Sequence, residues 1–128
     1  MVESKINTPV RRTKVPFVSV VLSFYNEQNV LPELLARLRN VLRGQRDNRL
    51  ISDYELIFVN DASTDGSLVI LHKEYEAEND IVIVDMSRNF GCSECVFAGM
   101  KYAKGDVVFY MDADLQDPPE IMPQMIQK

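Results

Sequence analysis

The sequence predicts an α/β fold, an open, doubly wound parallel sheet with helices on both faces. Two observations carry this. Short apolar runs rich in Val, Ile and Phe recur four times, at Phe17–Phe24, Glu55–Val59, Ile81–Val84 and Val107–Met111. Between them lie segments whose apolar residues repeat at helical spacing. The order β-α-β-α-β-α-β, with a partial helix after it, calls for parallel strands joined by right-handed crossovers.

Met1–Lys14 carries Lys5, Arg11, Arg12 and Lys14 without a hydrophobic period, and is expected to be a flexible basic tail ahead of a domain over residues 15–128. Each of the four runs reads as a strand buried on both faces, as in a sheet covered by helices. Leu31, Leu34, Leu35, Leu38, Val41 and Leu42 form one helical stripe, with Arg37, Arg39 and Arg43 turned away. Pro32 suits the first turn of that helix, where a missing N–H costs nothing. Gly44–Ser52, with Arg46 and Arg49, reads as a surface loop. Leu68, Leu71, His72 and Tyr75 make a second stripe, on which His72 is expected to be partly buried. Cys92, Val96, Gly99 and Ala103 make a weaker third, and Pro118-Pro119 open a last helical segment.

The chain has 128 residues, 46% hydrophobic and 26% charged, which is the composition of one folded domain. Fourteen Lys and Arg against nineteen Asp and Glu give a net charge of −5. Such a balance argues against nucleic acid as a partner, because phosphate contacts need clustered positive charge. It also repels free nucleotides unless a cation intervenes. No apolar run reaches the roughly 18 residues of a membrane span. Two cysteines without an export signal point to a reducing cytosol.

In an open α/β sheet, ligands bind beyond the carboxyl ends of the strands. There the sequence places Tyr25-Asn26-Glu27, then Asn60–Gly66, then Asp85 with Ser87–Gly91, then Asp112–Asp117. Polar and acidic groups therefore gather at one edge of all four strands. Asp112 and Asp114, two residues apart in an extended segment, point the same way and can converge on one hard divalent cation. Gln116 keeps that parity and offers a carbonyl oxygen; the rival reading is a solvated turn before Pro118. Asp61, first past its strand, is a ligand candidate, whereas Asp65 or Ser67 reads as a helix cap. Glu27 reads equally as a first-turn acid favoured by the helix dipole or as a binding group.

Four ordered blocks, SVVLSFYNE at Ser19–Glu27, VNDASTDGS at Val59–Ser67, SRNFG at Ser87–Gly91 and DADLQDPPE at Asp112–Glu120, together resemble the family-2 glycosyltransferases. The last block is most similar to the branch that moves sugars onto polyprenyl phosphates, the dolichol-phosphate mannose synthase and undecaprenyl-phosphate glycosyltransferase group. The resemblance implies the Rossmann-like nucleotide-binding half of an A-type (GT-A) fold, a UDP-sugar or GDP-sugar donor, and Mg²⁺ or Mn²⁺. It places Tyr25 and Glu27 beside the nucleoside, Asp61 on the base, and Arg88 and Asn89 in a turn by the nucleotide. Asp112 then faces ribose and diphosphate, partly through the metal, with Asp114 and Gln116 as metal ligands.

On that pattern a cation carries the diphosphate and the charge of the leaving group. A polyprenyl-phosphate acceptor, already ionised, attacks from the opposite face with inversion, at the cytoplasmic face of the membrane. Cys92 departs from the Lys or Gln that many relatives carry there, so a polar contact near the donor is missing. The family's second half, with its acceptor site, does not follow Lys128. The chain is therefore expected to be a fragment that binds donor and transfers little sugar. Two other classes compete. Cys92-Ser93-Glu94-Cys95 at a helix start suits a thioredoxin-like redox protein, and zinc held with His72 is a weaker variant. A non-catalytic nucleotide-binding module, associating as a homo-oligomer through an uncovered sheet edge, is the non-enzyme reading.

Overall fold

The computed structural model describes residues 15–86, 88–114 and 118–126. Strands β1 (Phe17–Phe24), β2 (Asp53–Asn60), β3 (Ile81–Asp85) and β4 (Val107–Asp112) alternate with helices α1 (Leu31–Asp47), α2 (Ser67–Ala77) and α3 (Cys92–Tyr102). A 3₁₀ turn at Pro119–Ile121 leads into α4 (Met122–Ile126). All strand pairs are parallel, in the order β3-β2-β1-β4. The doubly wound α/β reading is therefore correct. The basic tail, Ser87, and residues 115–117 lie outside the described residues.

α1 and α2 share one face of the sheet. Leu31, Leu34, Leu35, Leu38 and Leu42 of α1 are buried against Val18, Val20, Leu22, Leu56 and Phe58, with Leu71 and Met122 in the same cluster. Each such leucine contributes roughly 1.5–3 kcal/mol by leaving water. Pro32 sits in the first turn, and Glu33 near the start with Arg46 near the end complements the helix dipole. α3 covers the other face, where Cys95 packs among Val21, Ile57 and Val59. Gly99 brings α3 close to the sheet: a side chain there would overlap Val21.

Three expectations need correction. Only the central strands β1 and β2 are buried along nearly their whole length; β3 and β4 are half-buried because each forms an edge. The stretch read as the loop Gly44–Ser52 is helical through Asp47, and Ile51 within it is buried. His72 and Tyr75 are exposed, since the sheet ends at β3 and leaves the outer flank of α2 without a partner.

At the amino end of the strands, charges are paired. The Arg39 guanidinium donates twice to Asp80, both at 2.9 Å, and again to Glu74. The Tyr54 hydroxyl donates to Asp80 at 2.7 Å and accepts from Arg43 at 3.0 Å. Burial, then the bond to Asp80, pushes the Tyr54 hydroxyl up to about 12. Burial works against ionisation of Asp80, but Arg39 and the Tyr54 hydroxyl outweigh it and hold the carboxyl below its usual range.

A second buried acid locks the chain before β4. Glu55 accepts the Ser19 hydroxyl at 2.6 Å and the Lys104 N–H at 2.8 Å, while Ser19 accepts the Gly105 N–H at 2.8 Å. A side chain at position 105 would collide with the Ser19 nitrogen and the Phe17 carbonyl. Only glycine lets this connection press against β1, and that contact sets where β4 begins.

Candidate functional site

The strands end in register. Phe24 lies opposite Asn60, Asn60 opposite Asp85, and Ser23 opposite Asp112. From β1 the chain winds outward through β2 and β3, then returns to place β4 on the other side of β1. The carboxyl ends of β1 and β4 thus flank the topological switch point, where the crevice of such a sheet opens. A cavity of about 220 Å³ lies there, and Tyr25, Glu27, Asp61, Asp112 and Asp114 all line it. A larger hollow of about 840 Å³ runs along the outer flank of β3, beside Tyr75, Ile81 and Ile83, away from the switch point.

β4 delivers Asp112 and ends there, so Ala113 and Asp114 belong to a turn rather than to the extended segment expected from the sequence. Both carboxylates nonetheless reach the same cavity. Asp112 Oδ1 accepts the Tyr110 hydroxyl at 2.7 Å, and that hydroxyl also pairs with Ser23 Oγ at 2.7 Å. Tyr110 and Ser23 thereby orient Asp112. Sequence reading missed them, although the Tyr110–Asp112 spacing of two on a strand is the signal for a shared side. Burial raises the Glu27 carboxyl above its ordinary value, and the nearby Asp114 and Asp65 charges add to this.

Two loops form one platform under the cavity. Asn26 adopts φ 56°, a left-handed conformation that Asn tolerates better than most residues. Its Oδ1 accepts the N–H groups of Thr64 at 2.8 Å and Asp65 at 3.2 Å, while its own N–H donates to Ser63 Oγ at 2.9 Å. The Glu27 N–H donates to Ser67 Oγ at 2.9 Å, and Gln28 Oε1 accepts the Gly66 N–H at 2.7 Å. Tyr25 and Glu27 are therefore held by the loop after β2 as much as by their own. Ala62 in that loop is also left-handed, at φ 63°.

Asp65 accepts the N–H and hydroxyl of Ser67, the first residue of α2, at 2.9 and 2.6 Å, although Gly66 rather than Asp65 or Ser67 stands at the cap position. Burial opposes its ionisation, but these bonds and the Gln28 N–H hold its carboxyl below the usual range. Asp61 does something the sequence did not announce. Its two oxygens accept the N–H groups of Phe90 at 2.7 Å and Gly91 at 3.0 Å. Arg88 stacks over the Phe90 ring, 4.7 Å from its centroid, and both Arg88 and Asn89 are exposed. Gln116 lies outside the described residues.

Among the described residues no three His, Cys, Asp or Glu side chains converge as a ready cation cage. Asp112 and Asp114 still fit a hard divalent ion that takes its other oxygens from water and a diphosphate. The Glu27 carboxyl beside them is raised by burial first and then by the Asp114 and Asp65 charges, and a cation among these acids would offset the second part. The zinc reading fails on placement, and nothing among the described residues supports the redox reading. Cys95 is fully buried against the sheet, and exposed His72 sits on α2, across the sheet from α3.

Residues 19–128 match the family described as Glycosyl transferase family 2. An uncharacterized glycosyltransferase, YkcC of Bacillus subtilis, is 44% identical over 110 residues, covering 86% of this chain and 32% of its own. The undecaprenyl-phosphate 4-deoxy-4-formamido-L-arabinose transferase of Pseudomonas fluorescens is 40% identical over 113 residues, 88% of this chain and 32% of that protein. The chain thus spans about a third of the length of these curated relatives. Among solved structures, a mannosyltransferase from Pyrobaculum calidifontis in complex with GDP-Man and Mn²⁺ superposes with TM-score 0.67 and 27% identity, over 80% of this chain and 28% of that one. TarS from S. aureus in complex with UDP-GlcNAc does so with TM-score 0.64 and 26% identity, over 76% and 26%. With its acids gathered at the switch point of the same sheet, this chain belongs to glycosyl transferase family 2.

Proposed function

We propose that this chain is the donor-binding part of a glycosyltransferase that takes a UDP-sugar or GDP-sugar with Mg²⁺ or Mn²⁺. In the longer protein it hands the sugar, with inversion, to a polyprenyl phosphate at the membrane surface. The observation that carries this is the switch-point cavity lined by Tyr25, Glu27, Asp61, Asp112 and Asp114 together. The donor and metal named for the mannosyltransferase, and the acceptor named for the arabinose transferase, support it.

Asp112 and Asp114 would hold the metal, with Gln116 as a third oxygen ligand, and the Tyr110 hydroxyl, itself paired with Ser23, fixes the Asp112 carboxylate. When bound, the metal neutralises the diphosphate and stabilises the charge that develops on it as it leaves. Tyr25 and Glu27 border the nucleoside, Asp61 accepts from the base, and Arg88 with Asn89 closes the side toward α3. A phosphate oxygen of the acceptor forms the new bond to the anomeric carbon. The sugar–diphosphate bond breaks on the opposite face, and its electron pair departs with the nucleoside diphosphate. The attacking oxygen is already anionic, so no general base is required.

Calorimetric titration of UDP and GDP tests this, with Mn²⁺, with EDTA, and on Asp114→Ala. The expected result is binding that needs Mn²⁺ and falls roughly tenfold or more in the variant, the scale on which groups around a metal act. No binding by a wild-type protein that melts cooperatively, or binding indifferent to EDTA, would overturn the reading.

A further inference from the structure

The geometry points to Asp61 as a positioning residue that fixes the 88–91 turn, and through it Arg88, independently of any contact with a base. This rests on the donor-site reading above. Asp61 is 7% exposed, directly after β2, and gives one carboxylate oxygen to each of two successive backbone N–H groups. Hydrogen bonds to an ionised acceptor are the strong kind. The second of those donors, Gly91, sits at φ 92° and opens α3, whose first turn closes with the Cys95 N–H on the Gly91 carbonyl at 3.2 Å. One side chain therefore sets the end of the turn and the start of the helix together. The first donor, Phe90, carries the ring on which Arg88 stacks.

Each carboxylate oxygen keeps a second lone pair for a ligand. A base N–H reaching Asp61 meets an acceptor whose direction the turn has already fixed. Removing the carboxylate releases the turn even when no base is present.

The test is Asp61→Asn, whose amide offers one acceptor oxygen and turns an NH₂ group toward the second N–H. In nucleotide-free protein, amide exchange at Phe90, Gly91 and Cys95 is expected to quicken roughly tenfold or more, while amides within β1 keep their protection. Titration with Mn²⁺-pyrophosphate, which has no base, is expected to weaken as much as in Arg88→Ala, and the double variant to lose nothing further. Unchanged exchange and unchanged pyrophosphate binding would make Asp61 a base contact alone and overturn the inference. Faster exchange throughout β1 and β2 would overturn it in favour of a general stability role. Should Asp61→Asn fail to fold, Gly91→Ala forces a side chain into φ 92° and loosens the same turn with the carboxylate intact. It is expected to reproduce both changes, and unaltered behaviour would overturn the inference. If wild type binds neither nucleotide nor pyrophosphate with Mn²⁺, the donor reading fails, and amide exchange still decides the role of Asp61.

Discussion

The two ends of this sheet treat negative charge in opposite ways. At the amino end every named acid has a donor: Asp80 lies between Arg39 and Tyr54, and Glu55 between Ser19 and the Lys104 N–H. At the carboxyl end Glu27, Asp61, Asp112 and Asp114 line a common cavity, with no basic side chain lining it among the described residues. The carboxyl of Asp80 is accordingly held down by its partners, whereas that of Glu27 is raised by burial and by its acidic neighbours. One end spends its polar groups on holding the fold. The other gathers acids around a cavity, with Asp61 held by backbone N–H groups and Asp112 by the Tyr110 hydroxyl rather than by a guanidinium.

Substitutions sharpen that contrast. The largest effect is expected from Arg39→Ala, which removes the doubly bonded guanidinium from Asp80 at a site where their side chains are only 12% and 10% exposed. Breaking such a pair costs about 3 kcal/mol, visible as a lower urea midpoint, with Mn²⁺-dependent nucleotide binding intact in the protein that remains folded. Asp114→Ala should do the reverse. It loses nucleotide, yet without metal it is expected to gain up to about 1 kcal/mol, because one of the mutually repelling carboxylates is gone. A loss of metal-free stability in that variant would show that the two ends are alike after all.

Smaller effects are expected in the backbone and in the pH profile. Ala62→Gly relieves a left-handed alanine that costs about 1–2 kcal/mol. Part of the gain is offset by about 0.5–1 kcal/mol because glycine gives the unfolded chain more freedom to lose on folding, leaving roughly 0.5 kcal/mol in a denaturation curve. The smallest is the acid limb. A raised Glu27 carboxyl means that the folded chain holds the proton more tightly, so stability falls as pH rises from about 4.5 through its folded value. Asp80 has the opposite sign: its contribution is complete above about 3.8 and is lost as pH falls through its lowered value. Glu27→Gln should flatten the first slope and leave the second untouched.

How much of this was legible in the residues varies with how local the cause is. α1 was readable leucine by leucine, because Leu31, Leu34, Leu35, Leu38 and Leu42 all face the sheet as their spacing requires. α2 was not, since its outer flank is left bare by the position of β3 at the edge, which no local pattern encodes. Of the proposed site, Glu27, Asp61, Asp112 and Asp114 were singled out from their positions after apolar runs and Tyr25 from the family resemblance, and all five line one cavity. Asn26, Ser23 and Tyr110 were missed because their work is done on partners distant in the chain: Asn26 on Thr64 and Asp65, Tyr110 on Ser23.

The fold class, the strand order of events along the chain and the acidic edge follow from periodicity and from what stands after each apolar run. These are local properties, and hydrophobic burial converts them into a sheet wherever the chain collapses. Which strands became edges, and which acids met guanidinium groups and which met hydroxyls and one another, needed the folded chain. Asp80 and Asp112 look alike in sequence. One meets a guanidinium from α1 and the other the Tyr110 hydroxyl beside a cavity that Glu27 also lines, because pairing depends on distances across the sheet that only packing sets.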